Sequence, residues 1–366
     1  MRANSSHYNH TFNPAPGGVF YFMRIFPPIL LLLISSLSLL ANENEEQLRI
    51  RAVGDIMLGA LNPPGFLRPP EKGSILQYIN QELQNADLTM GNLEGTLCDS
   101  GTTTKCDPDS LDCYVFRMEE SEIHSLDQAG FDFLSLANNH VGDFGAPCID
   151  RTEYLLDSAG IGWSGSPGSY AYSRVNGMDV AFAAFHSGGH CNSVLDIEAA
   201  QNWISELDKT HDIVIVSVHG GAEGLAAMHL PDSMEFYLGE PRGEMIKFCR
   251  GAVDAGADLV FGHGPHVARA MEMYQGRVIA YSLGNFATYG RFNLLAERRF
   301  GGILEVKLDR SGALLGGQLI SVEQKYWGVP FLDPENRFAR IVYDLSQADL
   351  PDSPPLISKS GKLILP

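Results

Sequence analysis

Ala129-Gly130-Phe131-Asp132-Phe133-Leu134-Ser135-Leu136-Ala137-Asn138-Asn139-His140 holds in one stretch the unit from which the rest of the chain is built. Residues 119–129 carry a helical pattern that ends in alanine, and Gly130 can take the left-handed conformation that closes a helix. Residues 131–136 then form an apolar run with strand character, and Asn138, Asn139 and His140 follow where that strand would end. Helix, glycine, buried strand and polar strand end together predict an α/β fold.

The same connection recurs at Ala255-Gly256-Ala257-Asp258, ahead of an apolar run at 259–261. Further strands are predicted over 49–53, 87–90, 180–185, 213–218 and 278–282, and further helices over 74–84, 149–158, 197–207 and 243–255. After Phe286 the pattern turns β-rich, with runs at 303–308 and 314–322 around the turn Asp309-Arg310-Ser311-Gly312, which predicts a second sheet or a sheet edge. Residues 345–366 contain Pro351, Pro354, Pro355 and Pro366 with little periodicity, and read as a loosely packed tail.

In α/β folds the carboxyl ends of the strands face the functional crevice. Here those ends carry Asp55 after Gly54, Glu94 in Gly91-Asn92-Leu93-Glu94, Asn139 beside His140, His219 before Gly220-Gly221, and His263 with His266 in Gly262-His263-Gly264-Pro265-His266. Two imidazoles in a Gly/Pro turn can be aimed at one point, the most specific of these features. Asp55, Glu94, Asn139, His219, His263 and His266 supply carboxylate, amide and imidazole donors, a set that suits one or two ions of Mn, Fe or Zn. His186 and His190 also follow an apolar run, without a second ligand type beside them.

The chain has 366 residues, 26 Lys plus Arg against 44 Asp plus Glu, and a net charge of -18. So acidic a surface repels nucleic acid and anionic lipid, and an anionic substrate needs local metal ions or a basic cleft. Residues 23–41 have a basic start at Arg24, an apolar run from Ile29 to Leu40 and a small residue, Ala41, before a polar stretch. That is the order of a secretory signal, with Met23 as the start; the run is short for a membrane span, so cleavage near Ala41 is expected. The expected location is periplasmic or extracellular, with anchoring through an uncleaved leader as the alternative. The domain reading is a leader over 1–41, one domain over 48–325 and a partly irregular extension over 326–366. Six cysteines, Cys98, Cys106, Cys113, Cys148, Cys191 and Cys249, form an even set that an oxidising compartment can pair. A bridge is expected to involve Cys98, Cys106 or Cys113, because their polar loop has little apolar content to pack itself.

The order Gly-Asp, Asn-Leu-Glu, Asn-Asn-His, His-Gly-Gly-Ala-Glu, Gly-His-Gly-Pro-His and Tyr-Ser-Leu-Gly-Asn-Phe over 50–289 resembles the CapA family of capsule synthesis proteins, linked to poly-gamma-glutamate. That family is similar to calcineurin-like metallophosphoesterases, which implies two β-sheets packed between helical layers and a metal site at the strand ends. The resemblance makes Asp55 and His266 ligands of one metal, Asn139, His219 and His263 ligands of a second, Glu94 a bridge and His140 the proton donor to a leaving group. Glu223 and Asn285, inside two of these motifs, become candidate substrate contacts. The sequence departs from the phosphoesterase pattern at Asp55-Ile56-Met57, where Asp-x-His is usual, at Glu94, where an aspartate is usual, and at His263 to His266, where His-x-His is usual.

Three functions follow. The first is a metal-dependent hydrolase or transferase in the synthesis of an anionic or peptide-like surface polymer. The second is a metal-free enzyme in which Asp55 with His266 or His140 does acid and base work. The third is a non-catalytic accessory that binds polymer or a membrane polymer synthase.

Overall fold

The computed structural model describes residues 47–62, 65–106, 113–290, 292–353 and 356–365. The leader expected over 1–41 lies outside the described residues. No helix among the described residues is long and apolar enough to cross a membrane.

Two sheets form the centre of the fold. The eight-stranded sheet runs β18 (Val329–Leu332), β17 (Leu314–Lys325), β16 (Phe300–Asp309), β1 (Gln47–Met57), β2 (Leu88–Leu93), β5 (Phe133–Ser135) and β6 (Gly162–Ser164), with β15 (Asn285–Thr288) also paired to β1. The six-stranded sheet runs β13 (Met271–Tyr274), β14 (Arg277–Ala280), β12 (Leu259–His263), β9 (Ile213–His219), β8 (Met178–His186) and β7 (Ala171–Val175). Two short ribbons, β3 (Thr96–Leu97) with β4 (Arg117–Met118) and β10 (Glu235–Tyr237) with β11 (Glu240–Gly243), stand outside them.

The inner strands β1, β2, β5 and β6 are parallel, as are β8, β9, β12 and β14. Every residue of β9 and of β12 is buried, as expected of parallel strands covered on both faces. Phe133 of β5 stacks on Phe182 of β8 at 5.5 Å between ring centroids, so the two sheets share one core. The helices α4 (Ile197–Asp208) and α5 (Met245–Asp254) cover the second sheet, where Trp203 and Phe248 both meet Phe185. Beside the first sheet lie the single turn α1 (Asn80–Leu83), α2 (Ile123–Ala129) and α3 (Ala146–Ala159). This is an α/β fold of two sheets between helical layers, as the resemblance implies.

The later β-rich runs extend the first sheet and do not build a sheet of their own: β16 pairs antiparallel with β1 along its length. The segment read as an extension beyond 325 is part of the same unit. It adds β18 and the helix α6 (Arg337–Asp349), whose Phe338 and Val342 are fully buried against β16 and β17. Residues 74–84 form a 3-10 turn, Ile75–Tyr78, and then one turn of α-helix, with Ile75, Leu76, Ile79 and Leu83 all turned inward.

Cysteine pairing joins Cys98 to Cys148 and Cys106 to Cys113, while Cys191 and Cys249 are buried free thiols. The first bridge spans 50 residues and ties the end of β3 to α3, beside a small cluster of Val115 and Phe144. A loop of that length restricts the unfolded chain by about 4 kcal/mol in the chain-entropy account. Replacing both Cys98 and Cys148 by Ala should therefore lower the unfolding free energy by about 2–4 kcal/mol in urea titrations. An unchanged midpoint in oxidised protein would exclude the bridge.

Candidate metal centre at the strand ends

The carboxyl ends of the parallel strands from both sheets meet at Asp55. At Gly54 an ideal Cβ would stand 1.8 Å from the Gly284 carbonyl oxygen, so only glycine allows the approach that lets Asp55 N–H donate to Gly284 at 3.1 Å. The register of β1 against β15 shifts just after Asp55, and such an irregularity re-aims a side chain at a strand end. Across the seam, His219 and His263 are direct neighbours in the pairing of β9 with β12, their rings 5.6 Å apart. His266, three residues on, holds φ 58, a left-handed conformation unusual for a side chain of its size.

Asp55 is fully buried and accepts from Asn92 Nδ2 at 2.9 Å through one oxygen, while its other oxygen lies 2.9 Å from His266 Nδ1. Asn92 Nδ2 also stands 3.2 Å from His219 Nδ1, and its oxygen accepts from Asn138 Nδ2 at 3.1 Å. Glu94 faces His266 Nε2 at 3.6 Å and His140 Nε2 at 3.9 Å. Glu223 faces His266 Nε2 at 3.7 Å and Arg242 at 3.5 Å. His140 Nδ1 lies 2.7 Å from the Asp143 carboxylate, whose other oxygen accepts from Lys105 Nζ at 2.5 Å. The ring of Phe116 covers His140 at 4.0 Å, and Phe292 meets both Phe116 and His266.

Two groups of ligand atoms, each within 4.8 Å of one another, arise among the described residues: Asp55 with His219 and His263, and Asp55 with Glu94 and His266. Both oxygens of Glu94, Oδ1 of Asn139, Nε2 of His219 and Nδ1 of His263 are buried with no hydrogen-bond partner among the described residues. A desolvated polar atom left without a partner costs about 1–3 kcal/mol. Divalent cations held by the two groups would offset that cost, since carboxylate with imidazole is the donor chemistry of Mn, Fe and Zn.

Charge in the site follows from burial and from the crowding of acids. Burial alone would push His266 down, but Glu94, Asp55 and Glu223 around it raise it to about 10. Burial would raise Asp55, yet the hydrogen bond and charge of His266, with His263, hold it below the usual carboxylate range. Burial drives Glu94 well above that range, and the neighbouring acids Asp55, Glu223 and Asp143 add to the effect. Burial lowers His263 to about 4, and lowers His140 to about 4 against the pull of Asp143.

Of the residues expected from the sequence, Asp55, Glu94, His140, His219, His263, His266 and Glu223 are linked by the distances above. Asn139 precedes His140 in the same turn and presents a buried, unpartnered oxygen. Asn285 is committed to holding its neighbour: its oxygen lies 3.1 Å from His266 Nδ1, and its nitrogen donates to the His266 and Arg298 carbonyls. His186 supports the site from below, with Nδ1 2.8 Å from the His219 carbonyl, and His190 is exposed. Asn92, Asn138, Asp143, Arg242 and Lys105 were not anticipated. Asn92 and Asn138 sat one or two residues from expected ligands, and only the strand register shows which members of those motifs turn inward.

The chain is 30% identical over 262 residues to the PGA biosynthesis protein CapA of Bacillus subtilis (strain 168), covering 66% of this chain and 64% of that one. It is 26% identical over 267 residues to the capsule biosynthesis protein CapA of Bacillus anthracis, covering 67% and 61%. It thus spans less than two thirds of the length of either relative. Among solved structures, a hypothetical protein from Thermus thermophilus superposes with a TM-score of 0.46 at 16% identity, over 76% of this chain and all of that one. The profile of the bacterial capsule synthesis protein PGA_cap family matches residues 49–289, well over half of the sequence, and the chain belongs to that family.

Proposed function

We propose that this chain works outside the cytoplasm in the synthesis or processing of an anionic, peptide-like surface polymer, as a metal-dependent hydrolase or transferase centred on Asp55. The observation that carries the reading is the set of buried donor atoms on Glu94, Asn139, His219 and His263 that have no partner among the described residues. The polymer class rests on the family and on the printed names of the two Bacillus proteins. The sequence order at 23–41 supports export.

In this reading Asp55, His219 and His263 hold one ion, Asp55, Glu94 and His266 hold a second, and Asn139 offers a neutral oxygen. Asp55, common to both groups, is the shared carboxylate, a role the resemblance gave to Glu94. Bound ions would polarise the oxygen of the bond to be cleaved and make water more acidic. Asn92 keeps Asp55 oriented through its 2.9 Å hydrogen bond, and Asn285 fixes the His266 ring. Asp143 accepts from Nδ1 of His140, which leaves Nε2 bare at neutral pH. His140 therefore first takes a proton at Nε2 from the attacking group and then returns it to the leaving group. Phe116 and Phe292 keep water from the His140 and His266 rings.

Metal analysis of the protein purified from its own compartment tests the reading directly. His219→Ala should lose most of the bound metal while keeping its far-UV circular dichroism. His140→Asn should keep the metal and slow turnover of a glutamyl polymer by about a hundredfold or more. Full metal content in His219→Ala, or unchanged turnover in His140→Asn, would remove the residue from its role.

The pH dependence follows from His266. Without metal its ring keeps a proton until about pH 10, and an ion must displace that proton to bind. Apparent affinity for Mn2+ at the Asp55, Glu94 and His266 group should thus rise with pH by at least about tenfold per unit between roughly pH 6 and 9, with at least one proton released there and none from the Asp55, His219 and His263 group. His263, already neutral above about 4, adds no step near pH 6.5. Calorimetry in buffers of different ionisation enthalpy counts the protons; a plateau above pH 7 with none released contradicts the assignment of His266.

A further inference from the structure

Beside the site, and almost wholly beyond the stretch matched by the family profile, lies a hollow of about 460 Å3. Its walls include Phe66, Phe292, Leu295, Arg299, Tyr326 and Trp327. Phe292 is shared: it lines the hollow and packs edge-on against His266, with ring centroids 5.1 Å apart. The hollow therefore adjoins the candidate metal centre, with the Phe292 ring as their common wall.

Its outer wall is the hairpin between β17 and β18. Gly328 N–H donates to the Lys325 carbonyl at 3.1 Å, and the two residues between them, Tyr326 and Trp327, both take positive φ, 50 and 72. Turns of that kind are the place of asparagine and glycine, because a bulky side chain crowds the backbone there. Tyr326 is nevertheless 75% exposed and Trp327 66% exposed, and Leu295 across the hollow is 69% exposed. The Trp327 carbonyl is held by Gly290 N–H at 2.8 Å, so the turn is fastened to the wall that carries Phe292. Two aromatic rings kept in a strained turn and left in solvent contribute little to the core, and strain of this kind gathers at ligand sites.

The rim is basic in a chain of net charge -18. Arg299 and Lys325 share one carboxylate, Glu323, at 3.8 and 3.2 Å, and Glu323 is already paired with Arg337 at 2.9 Å. Arg299 and Lys325 can thus turn to an incoming anion at little loss. A planar apolar platform beside guanidinium and ammonium groups fits a chain that alternates flat amides and methylenes with carboxylates.

We propose that this hollow is a second subsite, which grips a carboxylate-bearing, peptide-like polymer and leads it past Phe292 to the metal centre. Tyr326 and Trp327 stack on its amides and methylenes, and Arg299 and Lys325 pair with its carboxylates. The polymer class rests on the function proposed above; the subsite has its own readout.

A short γ-linked glutamate oligomer, titrated into the full chain by calorimetry, with tryptophan emission followed as well wherever Trp327 is kept, tests it. Trp327→Ala and Arg299→Glu should each weaken the oligomer by about tenfold or more, with bound metal unchanged. The double change Tyr326→Asn with Trp327→Gly should raise the melting temperature, because it relaxes the turn, and still lose the oligomer. His219→Ala, depleted of metal, should keep the tryptophan response, so a failed metal reading leaves this result intact. Parental affinity in the Trp327 and turn variants overturns the subsite, and tighter binding of a neutral or uronic-acid oligosaccharide than of the glutamate oligomer overturns its occupant.

Discussion

A carboxylate taken entirely out of water where two sheets meet is the constraint on which this structure turns. Stripping an anion of its hydration costs several kcal/mol even after relaxation, so Asp55 can stay ionised only among donors and positive charge. Asn92 on β2 and His266 after β12 supply them, and they come from different sheets. A slip of β1 by one residue would turn the carboxylate to the other face and leave both partners unsatisfied. The register is set by the pairing of β1 with β16 along its length and by the contact of Gly54 with Gly284. The strands β15 and β16, which carry none of the candidate ligands, are in this sense part of the site.

The acids around Asp55 make the same demand collectively. Glu94 and Glu223 converge on His266 from within 4 Å, and Arg242 answers Glu223 while also facing Glu240 at 3.7 Å. Crowded acids of this kind hold on to protons, Glu94 well above the usual carboxylate range and His266 to about 10, and divalent ions bound there would take the place of those protons. The overall charge of -18 carries the same sign as the proposed polymer, so approach over the general surface is disfavoured. A basic rim close to the centre gives that polymer a route which the rest of the surface does not.

Most of the two-sheet plan was legible, because buried parallel strands are continuous apolar runs and the helices between them end at glycine. Gly130 does adopt the left-handed conformation after α2, as Gly160 does after α3, whereas after α5 the cap is Ala255 and Gly256 takes a wider φ of 111. What could not be read were pairings between distant parts of the chain. Asp55 and His266 are 211 positions apart, and the choice of Asn92 to contact Asp55 depends on the register of β1 with β2. The helix expected over 74–84 is divided at Ile79, φ -123, into a 3-10 turn and one α turn, although Ile75, Leu76, Ile79 and Leu83 stand at the spacing of one helical face. The helix α6 is a different kind of miss. Phe338, Val342 and Leu345 recur at helical spacing, but the pattern ends in the proline-rich stretch from Pro351 that by itself reads as irregular.

Backbone conformation separates ordinary turns from places where the chain gives up local preference. Eight non-glycine residues among those described have positive φ. Asn176, Leu238 and Gln275 each precede a glycine in a tight hairpin, and Asn336 caps α6, so four have a local explanation. Tyr326 and Trp327 form the turn of the β17–β18 hairpin ahead of Gly328, so their positive φ is also local and only the bulk of their side chains is unusual there, which leaves His266 and Ala296. His266 joins the buried acids, Tyr326 and Trp327 line the hollow, and Ala296 begins the short 3-10 turn that carries Arg299 to its rim. Sequences depart from local preference mainly where function demands it. His266 among the buried acids and Ala296 ahead of Arg299 lie on the two sides of Phe292, the ring at which the candidate metal centre and the hollow meet.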